Sequence, residues 1–278
     1  MFNEIPIMKT ANQPIGIFDS GAGGLTVAGA VKNLLPNEKL IYFGDTAHLP
    51  YGDKSNEAIQ YYSKNISEFL LQKQCKIILI ACNTASAAAY DVVKEHVGDR
   101  ALVINVIDPT VDFVTKNEAF LNIGVIGTKG TINSNTYSQK IKEKSPLKNV
   151  VSLATPLFVP MIEEGFIYDD ISNAIIRSYL TDENLQNIDA LILGCTHYPI
   201  IKNQIRKFYN FKTSIIDSSE IVARKLKEVL SENNLLNNQI SPKHEFYVSD
   251  YTQFFKTLAE MFFDDTVNLQ KEDIWNKR

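Results

Sequence analysis

Short apolar runs alternate along this chain with stretches in which apolar residues recur every three or four positions. Ile15-Gly16-Ile17-Phe18, Leu40-Ile41-Tyr42-Phe43, Lys76-Ile77-Ile78-Leu79-Ile80 and Leu102-Val103-Ile104-Asn105-Val106-Ile107 are the first four runs. Uninterrupted apolar runs of this length read as strands buried on both faces, as in a parallel sheet. Between them, Leu25, Ala28, Val31, Leu34 and Leu35 share a helical face that Pro36 ends. Ser55 is the expected N-cap of a helix carrying Ile59, Tyr62, Ile66, Phe69 and Leu70. Asp108-Pro109 is expected to close the fourth strand. Such alternation builds βαβ units.

The pattern then returns. Residues 123–128 predict a strand, followed by a helical stretch to about Lys144 and by strands over 150–154, 188–194 and 213–216. Asp19 and Gly127 stand 108 residues apart, and Cys82 and Cys195 stand 113 apart. Near-equal offsets at two separate strands predict a duplicated domain rather than a solenoid. Asp217-Ser218-Ser219 offers a cap for the next helix, residues 232–242 read as a polar loop, and 244–248 as a late strand. An amphipathic segment around Phe254, Leu258 and Phe262 closes the pattern, while residues 1–13 read as a polar surface lead-in. The expected fold class is α/β, with two pseudo-symmetric, doubly wound parallel-sheet domains and the active site in the cleft between them, at the carboxyl ends of the strands.

Composition narrows the function. The chain has 278 residues, 45% hydrophobic and 22% charged, with a formal net charge of -4, which provides for two ordinary cores and no general basic surface for nucleic acid. No apolar run approaches the roughly 20 residues that span a bilayer. The N-terminal residues lack a basic segment followed by a long apolar one, so a cytoplasmic setting is expected. Three cysteines make no disulfide framework, and neither Cys-x-x-Cys nor His-Glu-x-x-His occurs, so no metal is expected and the thiols are left free for chemistry.

A buried cysteine is ordinarily a small apolar core residue, and Cys75, with no polar company, is read that way. Cys82 differs, because it ends a strand and is followed by Asn83 and Thr84 at the start of a helix, whose amides favour a thiolate or a bound carboxylate. Cys195-Thr196-His197 repeats the arrangement and adds an imidazole, which either caps and hydrogen-bonds or tunes the thiol. The loop Asp19-Ser20-Gly21-Ala22-Gly23-Gly24 reads as a phosphate-binding turn or as a tight turn whose Asp19 caps the helix; its glycine content favours the latter. Pro50-Tyr51-Gly52 is a turn or part of a site, and Glu163-Glu164-Gly165 is most simply a helix end. His48, His96 and His244 have no comparable neighbours. Two thiols facing each other across a cleft can invert a carbon centre: one thiolate removes its proton while the opposing thiol delivers one to the other face. Stabilising the carbanion then requires preorganised donors in a water-poor cleft.

Four segments together carry a resemblance. Ile17-Phe18-Asp19-Ser20-Gly21-Ala22-Gly23-Gly24-Leu25, Gly44-Asp45-Thr46 with Pro50-Tyr51-Gly52, Ala81-Cys82-Asn83-Thr84-Ala85, and Gly194-Cys195-Thr196-His197-Tyr198-Pro199 resemble the signature blocks of glutamate racemase, in that family's order and spacing. The resemblance implies interconversion of L- and D-glutamate without a cofactor, supplying D-glutamate to bacterial peptidoglycan and so to cell-wall biogenesis and cell shape. It implies that Cys82 acts on the D-glutamate face and Cys195 on the L-glutamate face, assisted by Asp19, Glu163 and His197. Substrate contacts implied are Asp19, Ser20, Tyr51, Gly52, Asn83, Thr84, Thr196 and His197, with Thr128 and Thr131 a weaker transfer. It also implies an inserted domain: residues 1–107 plus 217–278 form the first, carrying Cys82, and 108–216 the second, carrying Cys195. Thr155 departs from the cysteine or alanine common there. The expected partners are the small molecule glutamate and a second copy of the chain in a homodimer, with no nucleic acid and no membrane.

Three rivals remain open on sequence. An aspartate racemase or another member of the superfamily would share the paired thiols. A cysteine hydrolase would use His197 as base but would leave the second cysteine without a task. A two-domain amino-acid binding protein would close on its ligand without chemistry. A pyridoxal-phosphate enzyme is disfavoured because no lysine lies in any of the four blocks.

Overall fold

The computed structural model describes residues 9–239, 243–263 and 267–275. Two all-parallel sheets are present. The first is laid down by β1 (Ile15–Asp19), α1 (Leu25–Leu34), β2 (Leu40–Gly44), α2 (Asn56–Gln72), β3 (Ile77–Ile80), α3 (Asn83–Val97) and β4 (Leu102–Asn105). After α4 (Ile107–Lys116) come β5 (Asn122–Gly127), α5 (Lys129–Asn133), α6 (Thr136–Lys144), β6 (Asn149–Ala154), α7 (Phe158–Glu163) and α8 (Asp170–Leu180). Then follow β7 (Ala190–Gly194), α9 (Lys202–Phe208), β8 (Ser214–Ile216), α10 (Ser218–Glu232), β9 (Glu245–Val248), α11 (Gln253–Phe262) and β10 (Leu269–Lys271).

The duplication is visible in the strand order. The first sheet runs β10-β9-β2-β1-β3-β4 and the second β6-β5-β7-β8, so the order 2-1-3-4 recurs as 6-5-7-8. The register agrees residue for residue: Ile15 faces Ile77 in the first sheet and Ile123 faces Ala190 in the second, which reproduces the 108- and 113-residue offsets. The central strands β1, β3 and β7 are buried along their whole length, as covering a parallel sheet on both faces requires. Strands β9 and β10, from the C-terminal part of the chain, extend the first sheet beyond β2. Helix α1 packs on α10 and α2 on α3. Among the described residues no helix is long and apolar enough to cross a membrane.

Several expectations need correction. Asp108 and Pro109 do not close a strand; they lie in the first turn of α4. The Asn105 side chain accepts from the amides of Ile107 at 2.8 Å and Asp108 at 2.9 Å, and a proline this early in a helix has no donor to lose. The helical stretch to Lys144 is two helices, broken at Asn135, whose φ of 56° is left-handed. Strand β10 and helix α8 were not foreseen. Ser55 does cap α2, accepting from the Ala58 amide, and Asp217 caps α10 through the Ser219 amide. Residues 1–8 of the expected lead-in and 240–242 of the expected loop lie outside the described residues.

One buried ion pair ties the segment before β1 and the loop after α10 to the first sheet. Lys76, just before β3, is fully buried and donates to Glu38 at 2.6 Å and to the carbonyls of Ala11 at 2.5 Å and Leu235 at 2.8 Å. Glu38 also accepts from the Asn237 amide at 2.9 Å. Replacing Lys76 by Met would leave the Glu38 carboxylate buried without its cation, a loss of about 3–5 kcal/mol. Denaturant unfolding should show that loss for Lys76→Met, and a change below about 1 kcal/mol would contradict this account of the pair.

Candidate active site

Both thiols end up where the strand pattern aims them. Cys82 follows β3 and Cys195 follows β7, the equivalent strands of the two sheets, and both line one cavity between the halves. The cavity is small, about 20 Å³ for the centre of a water-sized sphere, so it holds little more than one or two waters in this closed arrangement. Ser20, Tyr51, Gly52, Asn83 and Thr84 line it from the first half, and Thr128, Val159, Thr196 and His197 from the second. Among the described residues no lysine or arginine lines it, so an anionic ligand there would meet hydroxyls, amides, helix ends and the His197 ring.

The two sulfurs have different surroundings. Cys82 is the N-cap of α3: its Sγ accepts from the Ala85 amide at 3.4 Å, and its thiol donates to Ser20 Oγ at 3.7 Å. Burial, reinforced by the nearby Asp19 carboxylate, pushes the Cys82 thiol up to about 12, against the opposing pull of the Ala85 amide and the Ser20 hydroxyl, which can both donate to the thiolate form. Cys82 is therefore a protonated thiol at neutral pH in this state. Cys195 Sγ lies 3.8 Å from His197 Nδ1, while His197 Nε2 lies 2.9 Å from Glu163 Oε1. Burial opposes protonation of this imidazole, but Cys195 and Glu163 outweigh it and raise His197 to about 10. At neutral pH the ring is an imidazolium with a nitrogen facing each partner.

Asp19 joins the halves. It is fully buried at the end of β1; its Oδ1 accepts from the Gly21 amide at 2.8 Å and its Oδ2 from the Thr196 hydroxyl at 3.0 Å. Desolvation raises this carboxyl above the usual range, with the His197 charge and these hydrogen bonds pulling the other way. The loop amide at Gly21 therefore turns onto the chain's own carboxylate, which removes the phosphate-binding reading. The expected capping role of Asp19 is also revised: the N-cap of α1 is Gly24, without a side-chain cap. Gly23 has no room for a side chain, since a Cβ there would stand 2.4 Å from His197 Nδ1 and 2.5 Å from Thr196 Oγ1.

Thr84, Thr128 and Thr131 form a triangle of hydroxyls, 2.9 to 3.1 Å apart, that spans the halves. Thr155 pairs with the Tyr198 hydroxyl at 2.7 Å behind Cys195. Cys75 stays in the core, as expected, and burial pushes its thiol up to about 12. His96 pairs with Glu68 and His244 accepts from the Leu40 amide, neither of them among the cavity-lining residues. His48 does have company. Buried Asp45 accepts from the Tyr51 hydroxyl at 2.7 Å, the Ser249 hydroxyl at 2.7 Å and a His48 ring nitrogen at 2.8 Å, which fixes the Tyr51-Gly52 loop. Sequence reasoning missed this anchor, because Ser249 lies some two hundred residues away from Asp45. Among the described residues no group of three or more His, Cys, Asp or Glu could hold a metal ion.

The His197 environment has a consequence for stability. A group raised from 6.5 unfolded to about 10 folded stabilises fully below 6.5 and loses that stabilisation as pH rises towards 10. Between pH 6.5 and about 8.5, below the ordinary thiol range, unfolding free energy should fall with pH by up to about 1.4 kcal/mol per unit. His197→Asn should flatten that slope in denaturant titrations across the window; an unchanged slope would contradict an imidazolium at this position.

Comparison with known proteins places this geometry in a family. The model for the Asp/Glu/Hydantoin racemase family matches residues 26–226. A glutamate racemase of Chlorobaculum parvum is 46% identical over 250 residues, 90% of this chain and 92% of that protein. The crystal structure of glutamate racemase from Francisella tularensis in complex with D-glutamate superposes with a TM-score of 0.88 at 42% identity, covering 96% of this chain and 100% of that one. A glutamate racemase isoform from Bacillus anthracis gives 0.88 at 34% identity over 95% of this chain and 98% of that one. With similarity this extensive, and with a paired-thiol cavity at the strand ends, the chain belongs to the glutamate racemase family of isomerases.

Proposed function

We propose that this enzyme interconverts L- and D-glutamate by a two-base transfer of the Cα proton, with Cys82 and Cys195 on opposite faces of the substrate and no cofactor. The observation that carries this reading is the pair of buried thiols on equivalent strand ends lining one small cavity. In the L-to-D direction Cys195 takes the proton and the Cys82 thiol, protonated at rest, delivers its own to the other face. The reverse direction begins with the proton on the Cys195 side, where His197 and Glu163 form a relay from the sulfur. Deprotonation at Cα moves charge onto the adjacent carboxylate, and preorganised neutral donors in a closed site stabilise that charge without reorganising. Asn83, Thr84, Thr196, Ser20 and the amides around Tyr51 and Gly52 are the donors within reach of the cavity. Asp19 assists by opposing ionisation of Cys82 until a cationic ammonium group enters beside it.

The same reading extends to the whole chain. The unit limits we propose are residues 1–107 with 217–278 for the first domain and 108–216 for the second; the return of β9 and β10 to the first sheet supports them. The enzyme would work in the cytoplasm as a homodimer, supplying D-glutamate for peptidoglycan and so for cell-wall biogenesis and cell shape.

Incubating the purified protein with L-glutamate in deuterated water, without added cofactor, should yield D-glutamate labelled at Cα, and L-aspartate should react far more slowly. Alanine at either cysteine should lower racemisation by about a thousandfold or more, as expected for removal of a general acid or base. Label uptake that requires an added cofactor, or full activity in Cys195→Ala, would overturn the mechanism.

A further inference from the structure

One polar atom of the cavity lining has no partner. Asn83, 2% exposed, opens α3 beside Cys82, and its Nδ2 is buried with no hydrogen-bond acceptor. Its other amide atom is taken: the Tyr137 hydroxyl donates to Asn83 Oδ1 at 2.7 Å. A buried donor without an acceptor is costly, and such atoms in a site are commonly held for a ligand. An amide can turn over and exchange its oxygen for its nitrogen. A hydroxyl giving its proton to Oδ1 removes that freedom and fixes Nδ2 on the opposite side. Burial raises the Tyr137 hydroxyl above the ordinary tyrosine value, so it keeps the proton that this role requires.

We propose that Tyr137 is a positioning residue, whose hydroxyl locks the Asn83 amide so that Nδ2 is presented to a carboxylate oxygen of the substrate. The inference rests on the glutamate reading above. Apart from the His197 imidazolium, a dicarboxylic amino acid entering this cavity meets neutral donors, and among the described residues Nδ2 is the side-chain amide donor of that lining left without a partner. Tyr137 lies on α6, which follows the second sheet's first strand, whereas Asn83 follows β3 of the first sheet. The amide is thus set only when the two halves are together, which links closure of the cleft to completion of the binding site.

The test is a double-mutant cycle read in steady-state kinetics. Tyr137→Phe should raise KM for glutamate about tenfold with kcat changed no more than about threefold, as for one lost hydrogen bond to a charged group. In an Asn83→Ala background the same substitution should change KM by less than twofold, because the amide it positions is gone. A KM unchanged in Tyr137→Phe, or the same tenfold rise in both backgrounds, would overturn the proposal. Should Tyr137→Phe fail to fold, Asn83→Asp keeps the side-chain shape and removes the donor. Its KM should rise at least tenfold, and an unchanged KM would overturn the proposal equally. A wild-type protein that does not racemise glutamate would instead defeat the underlying functional reading before any variant is compared.

Discussion

Gly23 and the Thr196-His197 pair are packed so closely that a single methyl group would not fit between them, and the site depends on this approach. The Thr196 hydroxyl reaches across the same contact to Asp19, and the three threonine hydroxyls and the Tyr137–Asn83 bond close the remaining distance. Each of these links joins a residue at the strand ends of the first half to one of the second. With the halves pressed together, two strand ends that began as copies of one unit enclose one cavity and bring both thiols to it.

The copies are equivalent in topology and different in electrostatics. Cys82 caps a 15-residue helix yet remains protonated, because burial and the Asp19 carboxylate outweigh the helix amides. Cys195 has no counterpart of that carboxylate beside it; it has a charged imidazole held by Glu163. A symmetric fold thus holds an asymmetric proton inventory, with a proton stored on one side and a relay on the other. The proposed two-base mechanism needs both arrangements, since each turnover would move a proton from one side to the other.

Much of the fold was legible along the chain because buried parallel strands leave uninterrupted apolar runs. The 108- and 113-residue offsets carried the duplication before any register was known, and the strand pairing reproduces them. Cys82 and Cys195 were legible for the same reason, as polar chemistry at the end of apolar runs. What escaped was determined by contacts remote in sequence. Pro109 signalled an end to the fourth strand, whereas Asn105 turned it into the first turn of a helix. Strand β10 is three residues at a sheet edge, only Leu269 of them half-buried, and leaves no periodic signal. His48 looked solitary until Asp45 and Ser249 were brought beside it, and Tyr137 had no mark distinguishing it from a core aromatic.

The central claim is that the two sulfurs serve one carbon. A crystal structure of the protein with bound glutamate measures this directly. Both Sγ atoms should lie within about 3–4 Å of the substrate Cα on opposite faces, the spacing of a near-attack arrangement. Glutamate bound with both sulfurs on one side of Cα, or with either sulfur out of reach of it, would contradict the two-thiol account.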